Sequence, residues 1–312
     1  MQASGKVLVC DDIAQEGIDI LKRAGMIIDY KPTIDEKELI SSVQDYQVII
    51  IRGRTKITKQ VIDAAANSTK VIARVGIGLD NVDVKAAEER GIHVINAPEA
   101  AMNSVAELTI GHMISLARNI SHADAETKKG KWIKKDLIGT ELRGKYLGIV
   151  GVGNIGRNVG RIARGLRMNL IGYDVYPINQ DFIKEVGLII TDLNTLVESS
   201  DFITCHVPLT PCTKHMFNAE LFSKMKTTAY IVNTSRGEVI DENALYEALI
   251  KRNIAGAALD VFESEPPINK MLIGLPNVIC TPHIGAQTRE AQELASTVIA
   301  EKIIHIMHNT VE

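Results

Sequence analysis

Residues 146–160 read YLGIVGVGNIGRNVG, in the order of a strand, a glycine-rich turn and the opening of a helix. In GVGNIG (Gly151–Gly156), Gly151 permits a tight turn, Gly153 lets the backbone approach a pyrophosphate, and Gly156 lets the helix pack closely on the strand. The exposed amides and positive end of such a helix attract an anion. A bare GxGxxG is a weak signal, but here the strand before it and the helix after it are both present.

On the C-terminal side the next strand, Leu170–Tyr173, runs into Asp174, 23 residues beyond Gly151. A carboxylate at that place accepts hydrogen bonds from both hydroxyls of an adenine ribose, whereas a 2′-phosphate would meet its charge. Val175, Tyr176 and Pro177 supply no arginine to reward that phosphate, so the predicted cofactor is NAD rather than NADP. The plain alternative is a chance glycine turn beside a surface aspartate.

The same alternation of β-branched runs and amphipathic helices continues both ways, which is the pattern of parallel βα units. Downstream, Phe202–Val207, Tyr230–Asn233, Ala255–Leu259 and Val278–Cys280 bring the second series to six strands, a complete nucleotide-binding sheet. Upstream, Lys6–Cys10, Met26–Asp29, Gln47–Ile51, Val71–Val75 and Ile92–Ile95 form a first series. Its helices Ile13–Ala24 and Val84–Arg90 are closed by Gly25 and Gly91, where a left-handed cap residue is wanted.

Asn96–Pro98 break the pattern, and SVAE (Ser104–Glu107) reads as a capping box for a long helix. That helix carries Val105, Leu108, Ile110, Met113, Ile114 and Ala117, too many apolar residues for a lightly buried surface helix, and is expected to lie between two domains. After Gly285 a last amphipathic helix, Thr288–His308, is expected to return to the first domain. The predicted fold is α/β, with two doubly wound parallel-sheet domains, Rossmann-like and flavodoxin-like, and a cleft between them. Residues 1–97 plus 286–312 would form the substrate domain, and 98–285 the NAD domain.

Composition agrees with this class. The 312 residues are 46% hydrophobic and 23% charged, which excludes disordered, collagenous and disulfide-scaffold proteins. Lysine plus arginine number 35 against 38 acidic residues, and a net charge of −3 gives no attraction to nucleic acid or an anionic membrane, leaving small molecules as the expected partners. Cys10, Cys205, Cys212 and Cys280 form no CxxC pair, so a reducing compartment and no metal site are expected. MQASGKVLVC lacks the basic region of an export signal, and runs such as Val48–Ile51 are too short to span a bilayer, so a soluble cytoplasmic protein is expected.

Three residues follow strand ends of the second series: Arg236 in NTSRGEVID, Glu265 in ALDVFESEPP and His283 in TPHIGAQT. Open α/β sheets bind ligands at the carboxyl ends of their strands, so the fold can bring the three to one crevice. A guanidinium forks onto a carboxylate or polarises a carbonyl, a histidine exchanges a proton near neutral pH, and a carboxylate on the other ring nitrogen fixes the tautomer and favours imidazolium. Beside a nicotinamide such a trio is a hydride-transfer site. Taken singly, each has a plain alternative: a surface arginine, a solvated loop charge, a satisfied buried histidine.

Over nearly its whole length the chain resembles the D-isomer-specific 2-hydroxyacid dehydrogenases, nearest to the branch acting on D-3-phosphoglycerate. The resemblance rests on ordered blocks: IRGRTKIT, VIARVGIGLDNVD, NSVAELTIG, GTELRGKYLGIVGVGNIGR, IGYDVY, DFITCHVPLTP, NTSRGEVIDE, AGAALDVFESEPP and TPHIGAQTREAQ. It implies that Arg236 binds and polarises the substrate, that His283 is the acid/base and that Glu265 supports it. Besides the glycine loop, Asp174, Arg236 and His283, it implies cofactor contacts at Ile77, Asn154, Ile155, His206, Val207, Pro208, Thr234, Ser235, Gly285 and Ala286, with Asp260 holding the nicotinamide carboxamide. Arg52, Gly76, Ile77 and Asn103 match positions lining the substrate cleft.

KKGKWIKKD (residues 128–136) places five lysines around Trp132. One aromatic and no adjoining basic strip argue against nucleic acid, and a solvated charge run is the plain reading. By resemblance it lies on an arm exchanged in a homodimer, with a tetramer of two such dimers the open alternative, and Lys134 reaches a substrate phosphate in the partner's cleft; Arg52 and Arg54 favour phosphate too. Longer relatives carry C-terminal regulatory modules, so with the sequence ending at Glu312 feedback by serine is not expected. Two other readings stay open. One is a reductase of an unphosphorylated 2-keto acid such as hydroxypyruvate or glyoxylate. The other is an NAD-sensing, peptide-binding corepressor, for which the sequence carries no added tail or groove signal.

Overall fold

The computed structural model describes residues 5–65 and 67–309. Ala66 and the extreme ends, where the start of the chain and its stop at Glu312 were read, lie outside the described residues. The chain divides into two compact units, Met1–Ala101 with Ala286–Glu312, and Met102–Gly285.

The first unit holds β1 (Lys6–Val9), β2 (Ile27–Tyr30), β3 (Val48–Ile51), β4 (Val71–Arg74) and β5 (His93–Asn96), all parallel, in the order β2-β1-β3-β4-β5. This is the flavodoxin-like order. Alternation along the strands sorts side chains to two faces. Val7, Val9, Val48, Ile50, Val71 and Ala73 share a core with Ala295, Ile299 and Ile303 of the last helix, Arg289–Asn309. Leu8, Cys10, Ile49, Ile51 and Ile72 fill the other face. Gly25 and Gly91 have φ of +90° and +68° just after their helices, as the cap reading requires.

The second unit holds β6 (Tyr146–Val150), β7 (Asn169–Tyr173), β8 (Ile189–Ile190), β9 (Phe202–Cys205), β10 (Tyr230–Asn233), β11 (Gly256–Leu259) and β12 (Val278–Cys280) in the parallel order β12-β11-β10-β9-β6-β7-β8. The central strands β9 and β11 are buried throughout, while the edges β8 and β12 are not.

Three sequence expectations need correction. The second sheet has seven strands rather than six, because β8 is a two-residue, exposed edge strand with no periodicity to read. The long helix runs Met102–Arg118, so Ser104 and Glu107 lie inside its first turns and do not form a cap; the turn at 98–101 winds directly into it. Its buried Ala106, Ile110, Met113, Leu116 and Ala117 belong to a core of the second unit. The division between units falls after Ala101 instead of residue 97, since Ala97 and Ala100 are buried in the first unit's core.

Candidate active site

In the second sheet the winding reverses between β6 and β9, the place where doubly wound sheets bind ligands. The turn after β6 begins with Gly151 at φ +92°, and a Cβ there would sit 2.8 Å from the carbonyl carbon of His206, just past β9. A Cβ on Gly156 would fall 2.1 Å from the Gly151 carbonyl oxygen, so the helix Asn154–Gly165, opened by Asn154 and Ile155, packs where only glycine fits. A Cβ on Gly153 would meet nothing within 4 Å, leaving the space that a pyrophosphate needs. The carboxylate of Asp174 accepts from the amides of Val152 (2.7 Å) and Tyr176 (2.9 Å), which fixes it beside this loop with a lone pair on each oxygen still available. His206 Nε2 bonds Thr204 Oγ1 at 2.9 Å, and its Nδ1 is buried without a hydrogen-bond partner. Burial pushes that imidazole down to about 3, so it is neutral. Val207 is half-buried and Pro208 exposed beyond it. These residues fit a dinucleotide.

At the carboxyl ends of β10, β11 and β12 lie the turns carrying Arg236, Glu265 and His283. His283 Nδ1 and Glu265 Oε2 are 2.8 Å apart, with both side chains open to solvent on one side. Burial raises the Glu265 pKa, but the His283 hydrogen bond and charge, the Phe262 amide (3.3 Å) and the charge of Arg236 together bring it below the ordinary value. Glu265 is therefore the junction of the trio: hydrogen-bonded to His283 and close enough to Arg236 to feel its charge. His283 has φ +52°, a left-handed conformation that costs a non-glycine residue about 1–2 kcal/mol.

The surrounding protein holds that conformation in place. The His283 amide donates to the Asp260 carbonyl at 2.8 Å. The Asp260 carboxylate, 1% exposed, accepts from Thr281 Oγ1 (2.6 Å) and from the amides of Ile284 and Gly285 (both 2.8 Å). Its oxygens offer roughly four lone pairs, so one remains for a ligand amide. The turn after β10 is stapled by Asn233, whose Oδ1 accepts from Ser235 N and Oγ (3.0 and 2.7 Å) and whose Nδ2 donates to the Arg236 carbonyl (2.8 Å). Thr234 and Ser235 are buried. Gly237 presses against β11's turn, since a Cβ there would lie 1.9 Å from the Phe262 carbonyl carbon. Next to it Glu242 and Glu263 exchange amide-to-carboxylate bonds of 3.1 and 2.9 Å. Sequence reading missed Asn233 and this clasp. An Asx turn at a strand end was a usable signal for Asn233, whereas the clasp joins residues 21 apart and had none.

The other expected ligand residues are distributed over both units. Arg52 follows β3, and Gly76 and Ile77 follow β4, at adjacent strand ends of the first sheet. Arg52 Nη2 donates to Gln287 Oε1 at 3.0 Å. Gly76 has φ +144°, and the Arg74 guanidinium occupies the space a Cβ would take. Arg54, its side chain half exposed, is engaged within the first unit: it donates to the carbonyls of Cys10, Pro32 and Ile34 and pairs with buried Asp11 at 3.3 Å. In the second unit Asn103 accepts from Asn158 of the phosphate-loop helix at 2.8 Å. Lys134 lies on an exposed turn. Of its neighbours, Lys128 pairs with Asp124, and Lys129 and Lys131 with Glu126. Among the described residues no helix is long and apolar enough to cross a membrane.

The sequence profile described as the NAD binding domain of D-isomer specific 2-hydroxyacid dehydrogenases matches residues 110–285, which makes the second unit an NAD-binding domain. The chain is 47% identical over 303 residues to the D-3-phosphoglycerate dehydrogenase of Methanocaldococcus jannaschii, covering 97% of this chain and 57% of that one. To the hydroxypyruvate reductase of Thermotoga maritima it is 44% identical over 301 residues, covering 96% and 97%. The crystal structure of a glyoxylate reductase from Paecilomyes thermophila matches with a TM-score of 0.90 at 29% identity, over 98% of this chain and 96% of that one. The chain spans just over half the length of the curated phosphoglycerate dehydrogenases it matches. Identity at this level along nearly the whole sequence, with the site's blocks inside the aligned region, means that the chain belongs to the D-isomer specific 2-hydroxyacid dehydrogenase family.

Proposed function

We propose that this chain is an NAD-dependent dehydrogenase of D-2-hydroxy acids that interconverts D-3-phosphoglycerate and 3-phosphohydroxypyruvate, the first step of serine biosynthesis, in the cytoplasm. The observation that carries the reading is the Glu265–His283 hydrogen bond of 2.8 Å with the charge of Arg236 acting on the same carboxylate. Bound NAD supplies the hydride acceptor. With Nδ1 turned to Glu265, Nε2 of His283 is the ring atom left to face a substrate. In oxidation, neutral His283 takes the hydroxyl proton as hydride leaves C2; in reduction, the imidazolium returns it. Glu265, held ionised by its neighbours, favours the imidazolium that forms. Arg236 grips the substrate carboxylate and polarises the C2 oxygen.

The same reading gives the main-chain amides around Gly76 and Ile77, with Arg52 and Asn103, to the substrate, and Asp260 to the nicotinamide carboxamide. The chain acts as a homodimer in which Lys134 reaches the phosphate in the partner's site. A second reading, reduction of hydroxypyruvate, is favoured by the internal engagement of Arg54 and by the relative from Thermotoga maritima, which the alignment covers over 97% of its length. Assaying D-3-phosphoglycerate, hydroxypyruvate, glyoxylate and D-lactate by NADH absorbance separates the readings. The highest kcat/KM is expected for D-3-phosphoglycerate. A higher value for hydroxypyruvate would establish the second reading, and silence throughout would mark a binding protein.

A further inference from the structure

Of the buried polar residues on the helix Met102–Arg118, Thr109 (0% exposed) and His112 (4%) stand one turn apart, and each meets one of the turns that hold the proposed catalytic groups. Thr109 Oγ1 donates its single proton to the Val105 carbonyl at 2.8 Å. Its 2.9 Å contact with Thr234 Oγ1 therefore has Thr234 as donor. Thr281 Oγ1 likewise spends its proton on Asp260 Oδ1 at 2.6 Å, so in the 3.1 Å contact His112 Nε2 is the donor. This fixes the His112 tautomer with hydrogen on Nε2, and burial, opposed by the Asp260 charge, lowers its pKa and keeps the ring neutral. The two partners occupy equivalent places: Thr234 stands two residues before Arg236, and Thr281 two residues before His283. A third contact joins the same face, where Val105 Cγ2 lies 3.2 Å from the position of a Cβ on Gly285.

We propose that Thr109 and His112 are positioning residues, through which one turn of this helix sets the guanidinium of Arg236 and the imidazole of His283 in a common frame. Neither touches the reacting atoms. Thr109 accepts the Thr234 hydroxyl and so anchors the start of the Arg236 turn, while His112 donates to the Thr281 hydroxyl, whose own proton passes on to Asp260; a displacement of about 1 Å at such a site costs about a hundredfold in rate. This inference rests on the dehydrogenase reading for its rate effect and on geometry alone for its spectroscopic one.

The test pairs variants that lose the polar contact, Thr109→Val and His112→Phe, with variants that keep a hydrogen-bonding group there, Thr109→Ser and His112→Gln. In the enzyme saturated with NAD, the first pair is expected to lower kcat by about tenfold to a hundredfold. NADH affinity, read by fluorescence, should change by less than about twofold, and Ser and Gln should restore most of the rate. In protein labelled with 15N-histidine, His112→Phe is expected to move the ring signals of His283, a result independent of turnover. Where His112→Phe does not fold, Thr281→Val against Thr281→Ser removes and restores the same link. Folded Val and Phe variants with wild-type kcat and unmoved His283 signals would overturn the proposal. A wild-type chain silent toward every acid while His283 still shifts would overturn the dehydrogenase reading and leave the positioning role standing.

Discussion

His283 sits at φ +52°, where a side chain with a β-carbon is rarely found, because the Asp260 carboxylate and carbonyl hold its neighbours and its own amide. The turn spends conformational energy to present the ring to Glu265. Arg236 is the more replaceable in charge but not in shape: Arg236→Lys keeps the cation and loses the planar fork. The expected outcome is a fall in kcat/KM of about a hundredfold or more with NADH affinity unchanged, measured by steady-state kinetics and fluorescence titration. At the cofactor end, Asp174→Ala removes the carboxylate tied to Val152 and Tyr176. The variant should lose affinity for NAD while gaining relative affinity for NADP, and an unchanged ratio of the two dissociation constants would remove Asp174 from the ribose site.

The elements that matter most are the three turns after β10, β11 and β12, and their contact is steric as well as polar. Gly237→Ala puts a methyl group 1.9 Å from the Phe262 carbonyl carbon, and backbone there cannot yield cheaply. We expect a loss of about 1–3 kcal/mol in urea denaturation, together with reduced turnover; a variant as stable as the parent would show that the two turns are not packed as described. The strands were legible because each is a short apolar run between turn signals: Tyr146–Val150, Tyr230–Asn233 and Val278–Cys280 have the bounds read from sequence. What escaped was of two kinds. β8 is too short and too exposed to carry a pattern. At Ser104 a correct local motif lost to its context, because the preceding turn already nucleates the helix. The trio of candidate residues was legible from its strand-end spacing and from resemblance. Its supports were not, since Thr109 and Thr234 are 125 residues apart and His112 and Thr281 169 apart.

For the whole molecule, buried His112 and half-buried His206, whose Nδ1 is enclosed, set a pH dependence. Burial lowers the pKa of both His112 and His206, the latter from 6.5 to about 3. Below pH 6.5 the unfolded chain takes up protons that the folded chain refuses, so stability falls as the pH falls through the window below 6.5, and above it the two groups contribute no slope. Carboxylates with lowered pKa, such as Glu265, act only below their unfolded value near 4.5. Urea midpoints between pH 7 and pH 5 should therefore decline, and decline less in His112→Gln; a flat profile would contradict the burial of these rings. At the level of assembly, Lys134→Ala is expected to raise KM for the phosphorylated acid about tenfold or more while leaving KM for an unphosphorylated one alone, with the wild type sedimenting as a dimer. An unchanged KM would remove Lys134 from the site. The account as a whole turns on Arg236, Glu265 and His283 acting as one proton- and hydride-transfer centre. Single-turnover formation of NADH from NAD and a saturating D-2-hydroxy acid, in the parent and in His283→Ala, tests it most directly. A rate lower by about 10²–10⁴ in the variant, with NAD still bound, is predicted, and an undiminished rate would contradict it.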